Sequence, residues 1–271
     1  MVSDEFPIWE TCLLQMSDSK TIDFFVVTLS KEVPRSFRDE NDARSYWKCE
    51  HQGGIIGPCN LVELRFPADE VVKARRYTLW EDQRHHDFGE SHGSGYLLVY
   101  SVTSEALNRI AYHEAGHLVT GCLLSHGQPI HDSGFECSEL RYDHVSILPR
   151  PEVGSNDWAI GYCEDRSQRS IPAALESDDD FKREAVICCA GEAAEEIVFQ
   201  GSTVSHGDRR NLEILKQCAG HDVEPSYFDE GARNDAEVFL GDHRLTLDEI
   251  ARLLLDRHVL RSDEILVAMR R

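Results

Sequence analysis

Short runs of alternating hydrophobic and polar residues occupy the first hundred positions of the chain. Three runs have the length and the β-branched or aromatic content of strands, at 22–29, 60–66 and 96–102. Polar, turn-rich stretches such as 35–45 and 87–95 separate them, and one helix is predicted at 68–79. Residues 1–103 are therefore predicted to form a small α+β module, to which the pattern assigns no role.

In the second part of the chain the apolar residues recur at the three- and four-residue spacing of helices. The predicted helices lie at 104–125, at 180–200, from Asp208 onward and at 246–258, the last within a helix pair over 246–271, and two strands are predicted at 143–148 and 159–164. Ser104 is a suitable N-cap for the first helix, and Pro149 and Pro151 are expected to connect the strands. The chain is therefore predicted to be an α+β protein, with a mainly helical domain at 104–271 that contains a short β-hairpin.

The two long helices carry small residues at positions where side chains would keep helices apart. Gly116 lies in mid-helix, where glycine costs about 1 kcal/mol relative to alanine, so a close approach is expected there. Ala190, Gly191, Ala193 and Ala194 would let another helix pack against the second long helix at short distance. The sequence thus predicts a tight helix–helix contact.

Composition indicates a globular protein with a strong negative charge. The 271 residues are enough for one large domain or two modest ones, and 41% of them are hydrophobic and 28% charged. The formal net charge of -21 repels nucleic-acid phosphate and anionic lipid. Neither a nucleic acid nor a membrane is therefore an expected partner.

Targeting and cysteine signals favour a reduced, cytoplasmic compartment. The acidic N-terminus lacks the basic and apolar regions of a secretory signal, and the apolar run at 24–29 is too short to cross a bilayer. The nine cysteines have no regular spacing, so no disulfide framework is expected. A second metal site is not expected either, because no common metal-binding spacing fits the soft donors of the N-terminal half, Cys49, His51, Cys59, His85 and His86.

The segment His113-Glu114-Ala115-Gly116-His117 lies within the first predicted helix and carries the most specific chemistry of the sequence. Residues four apart share one helix face, so the two imidazoles can reach one metal ion. Glu114 projects from the adjacent flank, close enough to touch a water on that metal. The arrangement is typical of a zinc peptidase in which the glutamate is the general base.

A catalytic zinc needs at least one further protein ligand beside two histidines, and an open position for water. Four side chains carry suitable donors: Glu195 and Glu196 on the second long helix, Asp208 at the head of the third, and His206 just before it. By analogy with zinc enzymes that use a His-His-Glu set, Glu195 is favoured on chemistry alone. The spacing cannot choose among the four, because all are remote from His117.

The order of motifs in the second part of the chain resembles the peptidase domain of the FtsH-type proteases, the zinc-dependent partners of AAA ATPases. The similar segments are Tyr112–His117, His144–Arg150, Ala159–Tyr162, Ala190–Phe199 and Ser202–Asp208. They extend over about 106–215 and occur in the order of the family. The resemblance implies a zincin-like peptidase domain.

The resemblance also implies a complete zinc site, whose parts are the ligands His113, His117 and Asp208 and the general base Glu114. Glu195 and His206 are then side chains that hydrogen-bond a ligand or replace one. Asp208 is also suited to cap its own helix. Gly207 departs from the family, which usually has asparagine before this aspartate.

Two further parts of the family are missing from this sequence. It contains neither the Gly-Lys-Ser/Thr phosphate loop of an ATPase module nor a hydrophobic stretch of membrane-spanning length. The expected substrates are therefore peptides or unfolded proteins, cleaved by the chain alone or with a separate unfoldase or adaptor. A monomer or a small homo-oligomer is expected.

The sequence as a whole predicts a zinc metalloendopeptidase that hydrolyses peptide bonds without ATP. The alternative is a non-catalytic, zinc-containing domain that binds a protein partner. The strand over 144–148 is expected to pair with an extended substrate. Tyr112 and His206 are candidate donors to the oxyanion, and the other substrate-binding residues are unknown.

Overall fold

The protein is described by a computed structural model. The described residues are 21–28, 35–39, 41–43, 62–66, 96–125, 140–151, 158–166, 175, 177–202, 205–219 and 223–270. The chain divides into two compact units, Met1–Asn108 and Arg109–Arg271. Among the described residues, no helix combines the length and the apolar character that a membrane span requires.

The first unit contains a four-stranded sheet in the order β2-β1-β4-β3. Its strands are β1 (Thr21–Thr28), β2 (Arg35–Phe37), β3 (Val62–Phe66) and β4 (Tyr96–Thr103). β1 is antiparallel to β2 and β4, whereas β3 runs parallel to β4. β1, β3 and β4 match the predicted strands. β2 lies in the stretch predicted as turns at 35–45, because three residues are too few to show an alternating pattern. The helix predicted at 68–79 lies outside the described residues.

The second unit is mainly helical and contains a small antiparallel sheet in the order β6-β5-β7. Its elements, including a helix shared with the end of the first unit, are α1 (Ser104–Ser125), β5 (Tyr142–Pro151), β6 (Trp158–Asp165), α2 (Asp178–Phe199), α3 (His206–Cys218), a π-helical turn (Tyr227–Gly231), α4 (Ala232–Asp242), α5 (Arg244–Arg257), β7 (Val259–Arg261) and α6 (Ser262–Met269). The predicted mainly helical α+β fold is confirmed.

Two parts of the small sheet differ from the prediction. The predicted hairpin gains a third strand, β7, where a helix was expected, because His258 in the left-handed conformation (φ 63°) ends α5 and buried Leu260 pairs with β5. β5 also continues through Pro149 to Pro151 instead of ending at 148. β7 pairs with β5 only over His144–Ser146, so among the described residues β5 has β6 as its one neighbour at the prolines. A missing N–H is tolerated at such an edge.

The start of α1 is capped by Thr103, not by the predicted Ser104. The Thr103 hydroxyl accepts the backbone N–H of Ala106 at 3.1 Å, which satisfies one of the free donors of the first turn. At the start of α2, Ser177 and Asp180 form a reciprocal capping box. These caps set the starts of the two helices that meet at the candidate site.

Helices α1 and α2 approach each other closely at Gly116, as the small residues predicted. A Cβ atom at Gly116 would lie 2.4 Å from the backbone oxygen of Ala190 and 2.8 Å from the Cβ of Ala194. β5 packs on α1 nearby, where the Tyr142 hydroxyl donates to the backbone oxygen of His117 at 3.3 Å. The crossing therefore presses α2 against the part of α1 that carries the histidine pair.

Candidate metal centre

Three side chains from α1 and α3 converge on one point of the second unit. The Nε2 atoms of His113 and His117 lie 3.2 Å apart, and the Oδ2 atom of Asp208 lies 3.0 Å and 3.2 Å from them, respectively. Each residue offers one ligand atom, and among the described residues these three form a group able to hold a metal ion. The group unites the helical histidine pair with a residue 95 positions from His113.

The triangle of ligand atoms fits a tetrahedral zinc ion. Zinc bonds of about 2.0–2.1 Å in tetrahedral geometry place the ligand atoms about 3.3–3.4 Å apart. The three separations of 3.0, 3.2 and 3.2 Å are slightly shorter, so small outward movements of the side chains would seat the ion. Three protein ligands with the fourth position open are typical of catalytic zinc sites.

Both imidazole rings are oriented by acceptors on α2. His117 Nδ1 lies 2.8 Å from the backbone oxygen of Ile187, and a carbonyl can only accept, so this nitrogen carries the hydrogen. His113 Nδ1 lies 2.9 Å from Glu195 Oε1 and donates to it in the same way. Each ring therefore turns Nε2 toward Asp208 and can offer the lone pair of this nitrogen to a metal ion once the proton shared with Asp208 has left.

The pKa values of the three side chains reflect their mutual contacts. Burial alone would lower the pKa of His113, but hydrogen bonds to Asp208 and Glu195 hold it well above its ordinary value of 6.5. Burial also opposes protonation of His117, yet its pKa is raised because Asp208 faces the ring. The two rings hold the pKa of Asp208 well below its ordinary range, despite the opposing effect of burial. A metal ion that takes the place of the shared protons would release them on binding.

Asp208 reaches the centre from the first turn of α3. The N-cap of this helix is Ser205, whose hydroxyl accepts the backbone N–H of Asp208 at 3.2 Å. The interpretation of Asp208 itself as the N-cap is therefore wrong, and its carboxylate is left to face the histidines. Glu192 on α2 accepts the backbone N–H of Ser205 at 3.4 Å and so ties the start of α3 to α2.

Glu114 is buried next to the ligand group without being part of it. A Cβ atom at Gly161 of β6 would lie 2.6 Å from Glu114 Oε1, so the carboxylate rests directly on the strand backbone. The Cys163 thiol lies 3.5 Å from Glu114 Oε2 and donates to it, and burial keeps the pKa of this thiol well above its usual range. Burial likewise raises the pKa of Glu114 itself, against the influence of both histidines.

The structure separates the other candidate residues. Glu195 supports His113, whereas its neighbour Glu196 turns away and accepts from Arg233 at 3.3 Å. His206 is exposed at the start of α3 and is not in the ligand group found among the described residues. The Tyr112 hydroxyl donates to Asp248 on α5 at 3.1 Å, so the suggestion that it serves the oxyanion is wrong.

The strand expected to pair with substrate has no free edge where the pairing was predicted. β5 is bonded to β6 on one side and to β7 on the other over His144–Ser146. The backbone N–H of Ile147 then donates to the carbonyl of His258 at 3.0 Å. An added strand can therefore not bind there, and the prediction for 144–148 is wrong.

Three site residues were not identified from the sequence as parts of the site. Gly191 forms one wall, since a Cβ there would lie 2.5 Å from His113 Nε2 and 2.6 Å from His117 Nε2. Its position among small residues predicted close packing, but it did not predict that the two histidine rings would be the groups packed against it. Two residues of β6 support Glu114: Gly161, which has a positive φ of 94°, and Cys163. No local sequence pattern predicts that a strand residue has this role.

No protein-family model matches the chain. It is 25% identical over 178 residues to the ATP-dependent zinc metalloprotease FtsH 3 of Synechocystis sp., over 59% of this chain and 26% of that protein. FtsH 2 of Petrotoga mobilis is 28% identical over 147 residues, 52% of this chain and 20% of that protein. FtsH of Haemophilus influenzae is 24% identical over 183 residues, 61% of this chain and 26% of that protein.

These similarities support an FtsH-related domain in this chain. They relate it to a family of zinc metalloproteases, and the converging histidines and aspartate could bind a metal ion of that kind. The chain spans only about a fifth to a quarter of the length of the curated relatives it matches.

Proposed function

We propose that this chain is a zinc-dependent endopeptidase in which His113, His117 and Asp208 hold the metal and Glu114 is the general base. The observation that carries the proposal is the orientation of both rings. Each donates Nδ1–H to an acceptor on α2 and turns Nε2 toward Asp208, which is the arrangement that metal-binding imidazoles adopt. The similarity to FtsH-type zinc metalloproteases agrees with it.

Zinc held by these three residues would supply a Lewis acid that polarises a peptide carbonyl and lowers the pKa of a bound water to about 7. Glu114 would take a proton at its carboxylate from the water whose oxygen adds to the carbonyl carbon, and would give that proton to the amine nitrogen as the C–N bond breaks. Burial, which raises the pKa of Glu114, suits this role because a base is most effective when its pKa lies near the working pH. The Cys163 thiol and the Gly161 backbone hold the carboxylate in place.

The substrate we propose is an extended peptide or unfolded protein segment that adds to the outer edge of β6. Among the described residues β6 pairs with β5 alone, and the strand passes directly beside Glu114 at Gly161. Backbone hydrogen bonds to this edge would hold a peptide without selecting its sequence, and its carbonyl would lie near the base. A folded protein offers no such strand, so a separate unfoldase or adaptor would have to supply one.

The test is Glu114→Gln, which removes the base and keeps the shape of the side chain. We expect the variant to bind zinc like the wild type and to lose at least about a hundredfold in hydrolysis of quenched peptides or casein. The matched control is Glu196→Gln, a carboxylate of the same unit that pairs with Arg233 and should leave both properties unchanged. Unchanged turnover in Glu114→Gln would contradict the mechanism.

The same measurements address the alternative function. A wild-type chain that binds one zinc ion and cleaves none of the unfolded substrates would be a zinc-containing interaction domain. A purely structural zinc would have no use for the buried carboxylate of Glu114, and would usually have its fourth position closed by cysteine or histidine. The enzyme is therefore the better-supported proposal.

A further inference from the structure

Arg109 lies one helical turn before His113 on α1 and reaches the C-terminal end of α2. Its Nη1 atom donates to the backbone oxygen of Gly201 at 2.8 Å and lies 3.5 Å from Glu195 Oε2. The centre of the guanidinium stands 4.7 Å over the ring of Phe199, a favourable cation–π distance. Contacts with a carbonyl, a carboxylate and an aromatic face hold this planar group in one orientation.

Glu195 connects Arg109 to the first histidine of the ligand group. The carboxylate side chain is only 1% exposed, and its two oxygens have different partners. Oε1 accepts from His113 Nδ1 at 2.9 Å, and Oε2 faces the guanidinium. A buried carboxylate without a cation is strongly destabilising, so the charge of Arg109 both balances Glu195 and fixes the direction of the oxygen that orients the imidazole.

The same guanidinium also holds Gly201, the residue at which the connection toward Asp208 begins. Gly201 lies just beyond the end of α2 at Phe199 and seven positions before Asp208. At the other end of this connection, the backbone N–H of Ser205 donates to Glu192 on α2. Arg109 thus ties the first end of the connection to α1, and Glu192 ties the second end to α2.

We propose that Arg109 is a positioning residue of the metal centre, which aligns His113 through Glu195 and Asp208 through Gly201. It lies outside the His-Glu-x-x-His segment and is not in the ligand group found among the described residues. The inference rests on the proposed function in one respect, that the ligand group binds zinc, and it does not require the chain to be a peptidase.

The test compares zinc affinity, by competition with a chelator, in the wild type, Arg109→Met, Arg109→Lys and Glu195→Gln. We expect Arg109→Met and Glu195→Gln each to weaken zinc binding about tenfold to a hundredfold, the usual range for residues that orient a ligand. Arg109→Lys keeps a charge without the planar fork, so its loss should be smaller than that of Arg109→Met. The absorption spectrum of the cobalt-substituted protein should change in Arg109→Met, because the ligand geometry is altered.

The matched control is Arg233→Met, which breaks an Arg–Glu contact with Glu196, the neighbour of Glu195 on the same helix. It should leave zinc affinity and the cobalt spectrum unchanged. The double variant Arg109→Met/Glu195→Gln should lose less affinity than the product of the two single losses, because the two residues act in part through one contact.

Four results separate the possible failures. If Arg109→Met lowers the stability of the fold but binds zinc as tightly as the wild type, with the same cobalt spectrum, Arg109 is merely structural and the inference is overturned. Single losses that multiply fully in the double variant overturn the coupling to Glu195. A wild-type chain that binds no zinc overturns both the inference and the proposed metal site, whereas zinc binding without hydrolysis overturns only the peptidase.

Discussion

Helix α2 presents two faces whose residues have similar chemistry and very different surroundings. On the face toward α1, Ile187, Gly191 and Glu195 recur every four residues and meet the two histidines with a carbonyl, a bare backbone and a carboxylate. On the face toward α4, Glu196 accepts from Arg233 at the protein surface. The side chain of Glu195 is 1% exposed and that of Glu196 is 38% exposed.

One residue of offset turns a helical side chain by about 100°, and here that rotation separates a buried site residue from a surface ion pair. The comparison teaches that residue type alone does not identify the functional carboxylate of this helix. The face toward α1 tolerates little change in size or charge, because each of its positions touches a ligand ring. On the other face, the part-exposed side chain of Glu196 should tolerate substitution.

The largest effect should come from removing Asp208, the ligand that α3 contributes to the group. Asp208→Ala leaves two imidazoles without the third donor, and we expect zinc affinity to fall on the order of a hundredfold to a thousandfold. His206→Ala is the matched control, since this exposed histidine is outside the ligand group of the described residues and its loss should leave the affinity unchanged. Chelator competition measures both, and a loss in His206→Ala instead would make His206 the ligand.

Filling the wall of the site should be the next largest effect. Gly191→Ala places a methyl group 2.5 Å from His113 Nε2, so we expect about 1–3 kcal/mol of destabilisation together with weaker zinc binding. The control is Gly241→Ala on α4, where a Cβ meets nothing within 4 Å and the higher helix propensity of alanine should stabilise by up to about 1 kcal/mol. Urea unfolding and zinc titration of both variants test the difference, and equal effects would contradict it.

The two neighbouring glutamates allow the most direct comparison of the faces. Glu195→Ala removes the acceptor of His113 Nδ1 and should weaken zinc binding about tenfold to a hundredfold. Glu196→Ala removes only an exposed contact with Arg233, which is worth at most about 1 kcal/mol of stability and nothing in zinc affinity. If both variants bound zinc equally well, the difference in burial between the two faces would have no effect on metal binding.

The smallest effect is a pH dependence of stability in the absence of zinc. The pKa values of His113 and His117 are raised above 6.5 by Asp208, so their protonated forms contribute stability that is complete below about pH 6.5 and is lost as pH rises through the raised values. The depressed pKa of Asp208 contributes stability that is lost only in strong acid. Melting curves without zinc should therefore shift to lower temperature from about pH 6.5 upward.

Zinc should oppose this loss of stability at higher pH. The metal competes with the same protons and binds more tightly as they leave. The difference in melting temperature with and without zinc should therefore grow with pH over the range in which the metal-free protein loses stability. A zinc effect that stays constant across this range would mean that the ion binds elsewhere.

Much of the local structure was predictable because neighbouring residues encode it. Helix α1 has the predicted bounds, Ser104–Ser125, and most strands lie within a few residues of their predicted positions. The histidine pair and the tight packing at Gly116 also follow from spacing within a single helix. In each case the prediction rests on a residue spacing that lies entirely within one short segment.

The errors lie where a short segment lacks that information. β7 is too short to show a period and exists because β5 offers it an edge. Thr103 and Ser205 replaced the expected caps because a boundary shifted by one to three residues changes which side chain meets the free N–H groups. The proline-containing half of β5 depends on which strand is its neighbour there.

The sequence by itself determined that two imidazoles and a glutamate would share one stretch of helix, because the i, i+4 spacing is a property of any α-helix. It did not determine which of four donors would meet them. Asp208 faces the rings, Glu195 stands behind one of them, and Glu196 and His206 lie apart. Only the tertiary structure decided this, because the packing of α2 and the start of α3 against α1 joins residues that are far apart in the chain.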